Sequence, residues 1–443
     1  MIGASPRTRR AAGWILAWLG CTFASIGMFG EKRAPRVDPD EIYWIGSVYY
    51  YHLAFERGDW SHPDWSLLSA RENPPVARYV LGLGLALAGQ HIVTRDMLGC
   101  FRVMFKETPG VWGVGEDYAK RVAEAGRMNA ELCARPLGGP GVTNKPALLA
   151  LSRRIMLVTI VLASLLVFVL GASISNPATG LLASQFFLLH PLAIFASDHA
   201  MSDAVAVLFS TAAALAAWLF IRRLSTAEPV TPRSGAVLVL LNGMALALAC
   251  GAKMNSLIMV LVFGAAAGGV AIQAWRNHDR TRAVQAVLCG AASVVAAFAI
   301  FVLLNPAILA DFPGGLIALF EEQRVGLEYT MRVMPELRLA TLGAKFGAVT
   351  HVATGPLTFG LGAIVGLVAA LRSRRAGMWL MAAWWVISVV AVTLWIPIAW
   401  GRYVLPIVVP STLLLAYAAV AAAERLITLA RSRSSLAGPS ASS

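Results

Sequence analysis

Residues 11–29 read Ala-Ala-Gly-Trp-Ile-Leu-Ala-Trp-Leu-Gly-Cys-Thr-Phe-Ala-Ser-Ile-Gly-Met-Phe, and shortly after them the chain reads Asp38-Pro-Asp40-Glu41-Ile-Tyr43-Trp44-Ile-Gly46. The first stretch is long and apolar enough to cross a hydrocarbon core of roughly 30 Å as a helix. The second puts two carboxylates where the chain has just left the bilayer. Behind them, Tyr43, Trp44, Tyr49, Tyr50 and Tyr51 form an aromatic run that can lie in the interface and grip a sugar or a polyprenyl tail.

Working outward, uncharged runs of comparable length recur along all 443 residues, which are 58% hydrophobic and 14% charged. That composition excludes a soluble domain and is too even for a single anchor. Backbone groups in lipid must be satisfied within their own segment, so the expected fold class is all-α, a polytopic integral membrane protein. Spans are expected at about 11–29, 156–174, 178–196, 203–221, 235–252, 254–274, 284–304, 352–371, 377–396 and 403–423, about ten transmembrane helices in one domain over 1–425. Residues 426–443 read as a basic, Ser-rich tail, disordered at its Ser/Ala/Gly end.

The formal charge of +13 raises the question of nucleic acid, but the arginines cluster between spans rather than along one face. The positive-inside rule accounts for them, and no nucleic-acid partner is expected. Arg7, Arg9 and Arg10 precede the first span, which reads as an uncleaved anchor with a cytoplasmic N-terminus. Parity then puts both termini in the cytoplasm. It leaves a long first extracytoplasmic loop over 31–152 and a second over 305–351, at the cost of placing Arg153 and Arg154 outside. Within the first loop, the segment from Pro75 to Gln90 is apolar but interrupted by Arg78, and reads as an interfacial helix. A crossing there is the alternative, and it requires a further hidden span.

The five cysteines show no CxxC spacing. Cys21, Cys250 and Cys289 lie in spans, and Cys100 and Cys133 share the first loop, where an oxidising compartment would allow a disulfide. No internal repeat is evident, and His190 is the one ionisable side chain inside a span away from its ends. A secondary transporter usually places such groups near the midplane, which weighs against that reading.

The polar residues that can carry chemistry fall on the outer face. Asp40 is the first choice for a general base that activates an acceptor, with Glu41 beside it, although acids near a membrane surface are commonly just solvated. The turn Ser197-Asp198-His199-Ala-Met-Ser-Asp203 packs two carboxylates and an imidazole together. Asp203 either caps the following helix or takes part in function; Asp198 and His199 can also ligate a divalent ion, Mg or Mn, with Asp40 or Glu41. Lys253 and Arg402 stand at span ends, where they either snorkel or bind an anionic headgroup. The loop from Asn305 through Asp311 to Glu328 reads as a lid or an acceptor-facing element.

In this order the motifs resemble the GT-C glycosyltransferases, in particular bacterial relatives of the protein O-mannosyltransferases and of the aminoarabinose transferase that modifies lipid A. The resemblance rests on Asp40-Glu41, Asn73-Pro74-Pro75, the 197–203 turn, Lys253, Asn305-Pro306 followed by Asp311, and Arg402-Tyr403 with Pro406. It departs from the family at Asn73, where His is usual, and at Arg78, near where a lysine often stands. It implies a glycosyltransferase, hexosyl- or pentosyl-transferring, of the bacterial inner membrane, with its active site extracytoplasmic. A polyprenyl-phosphate sugar is the implied donor, a lipid, glycan or protein the acceptor, and the anomeric carbon inverts. Asp40 is the implied catalytic carboxylate, Asp203 a second-loop acid, and Lys253 and Arg402, with Tyr403, the donor-phosphate ligands. Tyr43, Asn73, Arg78, Asn305 and Asp311 complete the expected substrate contacts. A flippase for lipid-linked sugars and a noncatalytic lipid-binding subunit are the rival readings.

Overall fold

The computed structural model describes residues 6–29, 39–71, 73–94, 145–226, 230–333, 335–353, 358–373 and 375–436. Helix α1 (Pro6–Phe29) is followed by α2 (Pro39–Gly46), which carries Asp40 and Glu41 in its first turn, and by α3 (Val76–Leu87). Then come α4 (Lys145–Ile174), α5 (Pro177–Leu188), α6 (Pro191–Asp198), α7 (Ser202–Ser225), α8 (Pro232–Ala252), α9 (Ile258–Arg276) and α10 (Arg280–Leu303). The chain continues through α11 (Gly314–Val333), α12 (Leu342–Ala353), α13 (Thr358–Arg372), α14 (Ala376–Trp395) and α15 (Leu405–Leu436). Short helical turns fill the connections and stay unnumbered. Among the described residues the only strand-like pairing is a bridge between Arg338 and Ile398.

Among the described residues seven helices, α4, α7, α8, α9, α10, α14 and α15, are long and apolar enough to cross a membrane, and an eighth crossing is available if α5 and α6 count as one. The expected span at 178–196 is in fact that broken pair, bent by 62°. Its cause is local: Pro191 opens α6, and His190 turns its Nδ1 to accept from the Leu192 amide at 3.2 Å, which caps a new helix instead of extending the old one. The helix α3 has 12 residues, about 18 Å at 1.5 Å per residue, well short of a crossing. At the other end, α15 runs on to Leu436, so the tail expected from 426 begins as helix. Ala, Glu, Leu and Arg dominate its last turns, and these residues lose little freedom in a helix. The two cysteines of the expected disulfide, Cys100 and Cys133, lie outside the described residues.

Small residues let the spans approach closely, as helix packing in lipid requires. A Cβ added to Gly171 of α4 would come within 2.8 Å of the Gly180 backbone in α5.

The aromatic run of the first loop turns inward rather than toward lipid or ligand: Tyr43, Trp44, Tyr49 and Tyr50 are all buried. Their hydroxyls find partners there. Tyr49 donates to Asp64 Oδ2 at 2.8 Å, and Tyr43 Oη accepts from Arg78 Nη2 at 3.2 Å. The Arg78 guanidinium, itself fully buried, lies 5.2 Å from the Tyr50 ring centroid and 5.7 Å from that of Trp44. These rings and this arginine knit α2 to α3 into a platform beside the bundle.

Candidate active site

Four charged side chains from four distant parts of the sequence meet where α2, α7, α8 and α15 begin or end. Arg402 Nη1 donates to Asp40 Oδ2 at 2.9 Å, and Lys253 Nζ pairs with Asp203 Oδ1 at 2.5 Å. The two pairs are neighbours. Arg402 Nη1 also lies 3.5 Å from the sulfur of Met201, two residues before Asp203, and Lys253 Nζ sits 5.8 Å from the ring centroid of Tyr403. Burial lowers the pKa of Lys253, against which the Asp203 carboxylate raises it.

Each group is placed by the end of a helix. Asp203 occupies the first turn of α7, where a carboxylate is favoured, yet its side chain reaches Lys253 across the α8–α9 turn. Lys253 follows the last residue of α8 in an extended conformation, which turns its stem back over the site. Arg402 stands in the short turn before α15, its guanidinium 4.4 Å from the centroid of the Trp400 indole. That turn is braced from outside: Leu339 N donates to Pro397 O at 2.9 Å and Ala399 N to Leu337 O at 2.8 Å, so the second loop grips the segment that carries Arg402.

Glu41 has a different setting. It is fully buried, accepts from Arg153 Nε at 2.8 Å and Nη2 at 2.6 Å, and accepts from the Ala200 amide at 2.9 Å. Its oxygens are therefore committed to holding α2 against α4 and against the turn that leads to Asp203. That arrangement suits a positioning residue better than a base, which needs a free lone pair facing the acceptor. It also accounts for Arg153, whose charge fits poorly with the positive-inside count: its partner is Glu41, on the same end of the bundle as Asp40.

The remaining expected contacts separate from the cluster. Tyr43 and Arg78 are buried in the platform behind α2. His199 stacks on Phe195 with centroids 4.1 Å apart and, facing the Phe195 carbonyl at 2.9 Å, must donate from Nδ1; Asp198 has Ser197 Oγ at 3.5 Å. Asn73 is half-buried in the bend before α3, and Asp311 is exposed beside the first turn of α11. Asn305 is buried at the end of α10, its Oδ1 without a hydrogen-bond partner. Among the described residues no three His, Cys, Asp or Glu side chains converge as a metal would require. Asp198 and His199 are thus not brought together with Asp40 or Glu41 as the expected Mg or Mn ligands.

From Lys253 a cavity with about 310 Å³ of empty space, open mouth included, continues into the bundle. Asp203, Ser210, Asn255, Ser256 and Trp384 line it, with Leu405, Pro406 and Val409 of α15. Ser210 Oγ donates to Ser256 Oγ at 3.2 Å, and the buried Trp384 Nε1 has no hydrogen-bond partner. Sequence reasoning singled out Lys253 and Asp203 but neither Trp384 nor Arg153. Trp384 carries no local signal in a helix already rich in Trp, whereas Arg153 was visible as a charge on the wrong side.

The family model for dolichyl-phosphate-mannose-protein mannosyltransferases matches residues 149–311, a segment that includes Arg153, Asp203 and Lys253 but neither Asp40 nor Arg402. The archaeal oligosaccharyltransferase AglB from Archaeoglobus fulgidus, in complex with an inhibitory peptide and a dolichol-phosphate, superposes with a TM-score of 0.57 at 13% identity, covering 97% of this chain and 52% of that one. ArnT from Cupriavidus metallidurans, bound to undecaprenyl phosphate, gives a TM-score of 0.53 at 14% identity, covering 92% of this chain and 60% of that one. No curated protein matches the chain in sequence. The chain spans about half to three-fifths of the length of the structures it matches. At 13 and 14% identity these likenesses show a shared fold.

Proposed function

We propose that the protein is a membrane glycosyltransferase that moves a sugar from a polyprenyl-phosphate donor to an acceptor hydroxyl or amine. The observation that carries this reading is the convergence of the pairs Asp40–Arg402 and Asp203–Lys253, of which Asp203 and Lys253 line the cavity. A polyprenyl tail stays in lipid and presents its sugar phosphate at interface height. Lys253 and Arg402 hold the phosphate, with Tyr403 beside them, and charge-assisted bonds of this kind are stronger than neutral ones. Asp40 takes the proton from the acceptor as its heteroatom attacks the anomeric carbon. The bond to the phosphate oxygen breaks on the opposite side, so the carbon inverts and polyprenyl phosphate leaves, its charge matched by the two cations. Asp203 fixes Lys253, and Glu41 fixes the backbone that carries Asp40. The site faces the extracytoplasmic side of a bacterial inner membrane, with both termini in the cytoplasm.

The test is transfer by purified protein from radiolabelled polyprenyl-phosphate hexoses and pentoses to a panel of lipid, glycan and peptide acceptors. Transfer by wild type that Asp40→Asn abolishes supports the reading. Binding of the donors without transfer to any acceptor favours the flippase reading instead.

A further inference from the structure

From the end of α10 the chain passes through the short turn Pro306–Leu309 and enters α11 at Gly314. This elbow has two faces. Ile308 and Leu319 are buried against Ala247, Cys250 and Phe301 of α8 and α10. Leu309, Phe312, Ile317 and Phe320 point the other way and are exposed, Phe312 by 52% and Ile317 by 66%. Four large apolar side chains in so short a stretch form an unusual patch on a segment that sequence reading places outside the membrane.

Where the patch lies is fixed by one contact. The Phe312 ring packs edge-to-face on Phe298 with centroids 6.1 Å apart. Phe298 belongs to α10, long and apolar enough to cross a membrane, and is itself 47% exposed. It precedes the last residue of α10, Leu303, by five positions, or about 8 Å of helix. Phe312 therefore packs beside a residue well inside α10, and the exposed face of the elbow continues the exposed face of that helix. Just beyond the patch, α11 changes character. Arg324 pairs with Glu321 and, at 2.7 Å, with Glu328, all three well exposed, as expected where the helix rises into water. The carboxylate of Asp311 is compatible with this placement. A Cβ on Gly314 would meet it at 2.6 Å, so it sits at the amino end of α11, where an acid is favoured at headgroup height.

We infer that residues 309–320 form a membrane-inserted elbow whose occupant is bilayer lipid, seated about 5–10 Å into the boundary between headgroups and acyl chains. The second loop is then not a free lid. It is held in lipid at its start, and at its end the 337–339 segment grips the turn that carries Arg402. This inference depends on the spanning helices and not on the glycosyltransferase reading.

The experiment reconstitutes the full-length protein in nanodiscs of phosphatidylethanolamine and phosphatidylglycerol, photolyses a lipid-partitioned aryl diazirine, and reads labelling by peptide mass spectrometry. The elbow peptide is expected to label within about twofold of the peptide that carries Phe298, and at least fivefold above the one that carries Glu321–Glu328. Ile317→Asn, which alters only an exposed side chain, is expected to lower the labelling of the elbow and of no other peptide. Labelling of the elbow at the level of Glu321–Glu328 overturns the inference. So does a protected elbow in nanodiscs that contain two copies of the chain, which would assign the face to a second protomer.

Discussion

Arg402 donates to Asp40 at 2.9 Å across 362 positions of sequence. The bond ties the turn before α15 to the first turn of α2, and it leaves the Asp40 carboxylate facing a cation. Replacing Asp40 by Asn keeps the shape and removes the charge. With Asp40 as base, transfer falls about 10²- to 10⁴-fold while the unfolding temperature changes little. Initial rates with a saturating donor, set beside thermal unfolding in detergent, separate loss of chemistry from loss of fold.

Glu41 and Arg153 make the opposite prediction. Their pair is buried on the Glu41 side and supplies the bonds that hold α2 in place. Glu41→Gln removes one charge and leaves the other, a change that costs about 3 kcal/mol. The unfolding temperature is expected to drop by several degrees, and the double change Glu41→Leu with Arg153→Met to recover part of that loss. An unchanged unfolding temperature in Glu41→Gln would remove the positioning role.

Lys253→Ala is expected to weaken binding of polyprenyl phosphate at least about tenfold, equivalent to about 1.4 kcal/mol. The variant also strands the buried Asp203 carboxylate beside the same site. Equilibrium binding of labelled polyprenyl phosphate to wild type, Lys253→Ala and the double variant Lys253→Ala with Asp203→Asn separates the two causes. The double variant regains stability without regaining affinity if Lys253 holds the phosphate.

Glu56 links a π-helical turn, His52–Glu56, to the segment after α3 by accepting from Nδ1 of His52 at 2.6 Å and of His91 at 2.7 Å. Burial pushes its carboxyl up, but the two imidazole hydrogen bonds outweigh that and hold it below the ordinary value. A depressed carboxylate contributes stability above its unfolded pKa and loses it as pH falls through the folded one. Hydrogen exchange over 52–56 and 88–92 is therefore expected to speed up on acidification below the usual carboxylate range, and Glu56→Gln to show the faster exchange at every pH. Equal pH dependence in both proteins would count against the clasp.

Much of the architecture was legible from residue pattern alone. Long apolar runs announce helices because lipid leaves the backbone no other way to satisfy its polar groups. Charges at the ends of those runs, Lys253 and Arg402 among them, mark themselves by standing where hydrophobicity stops. The broken span at 189–190 was less visible, since its composition is as apolar as that of its neighbours and only His190-Pro191 hints at a new start.

Sequence by itself determined that the chain is a helical membrane protein, and which few charged residues stand near a membrane boundary. Tertiary structure alone decided which of them meet. It paired Asp40 with Arg402 and Asp203 with Lys253, turned Glu41 away to Arg153, and folded Tyr43 and Arg78 into the platform behind them. The reason is range: the hydrophobic pattern acts over a helical turn or a bilayer's thickness, whereas these partners are brought together only by the packing of helices far apart in the chain.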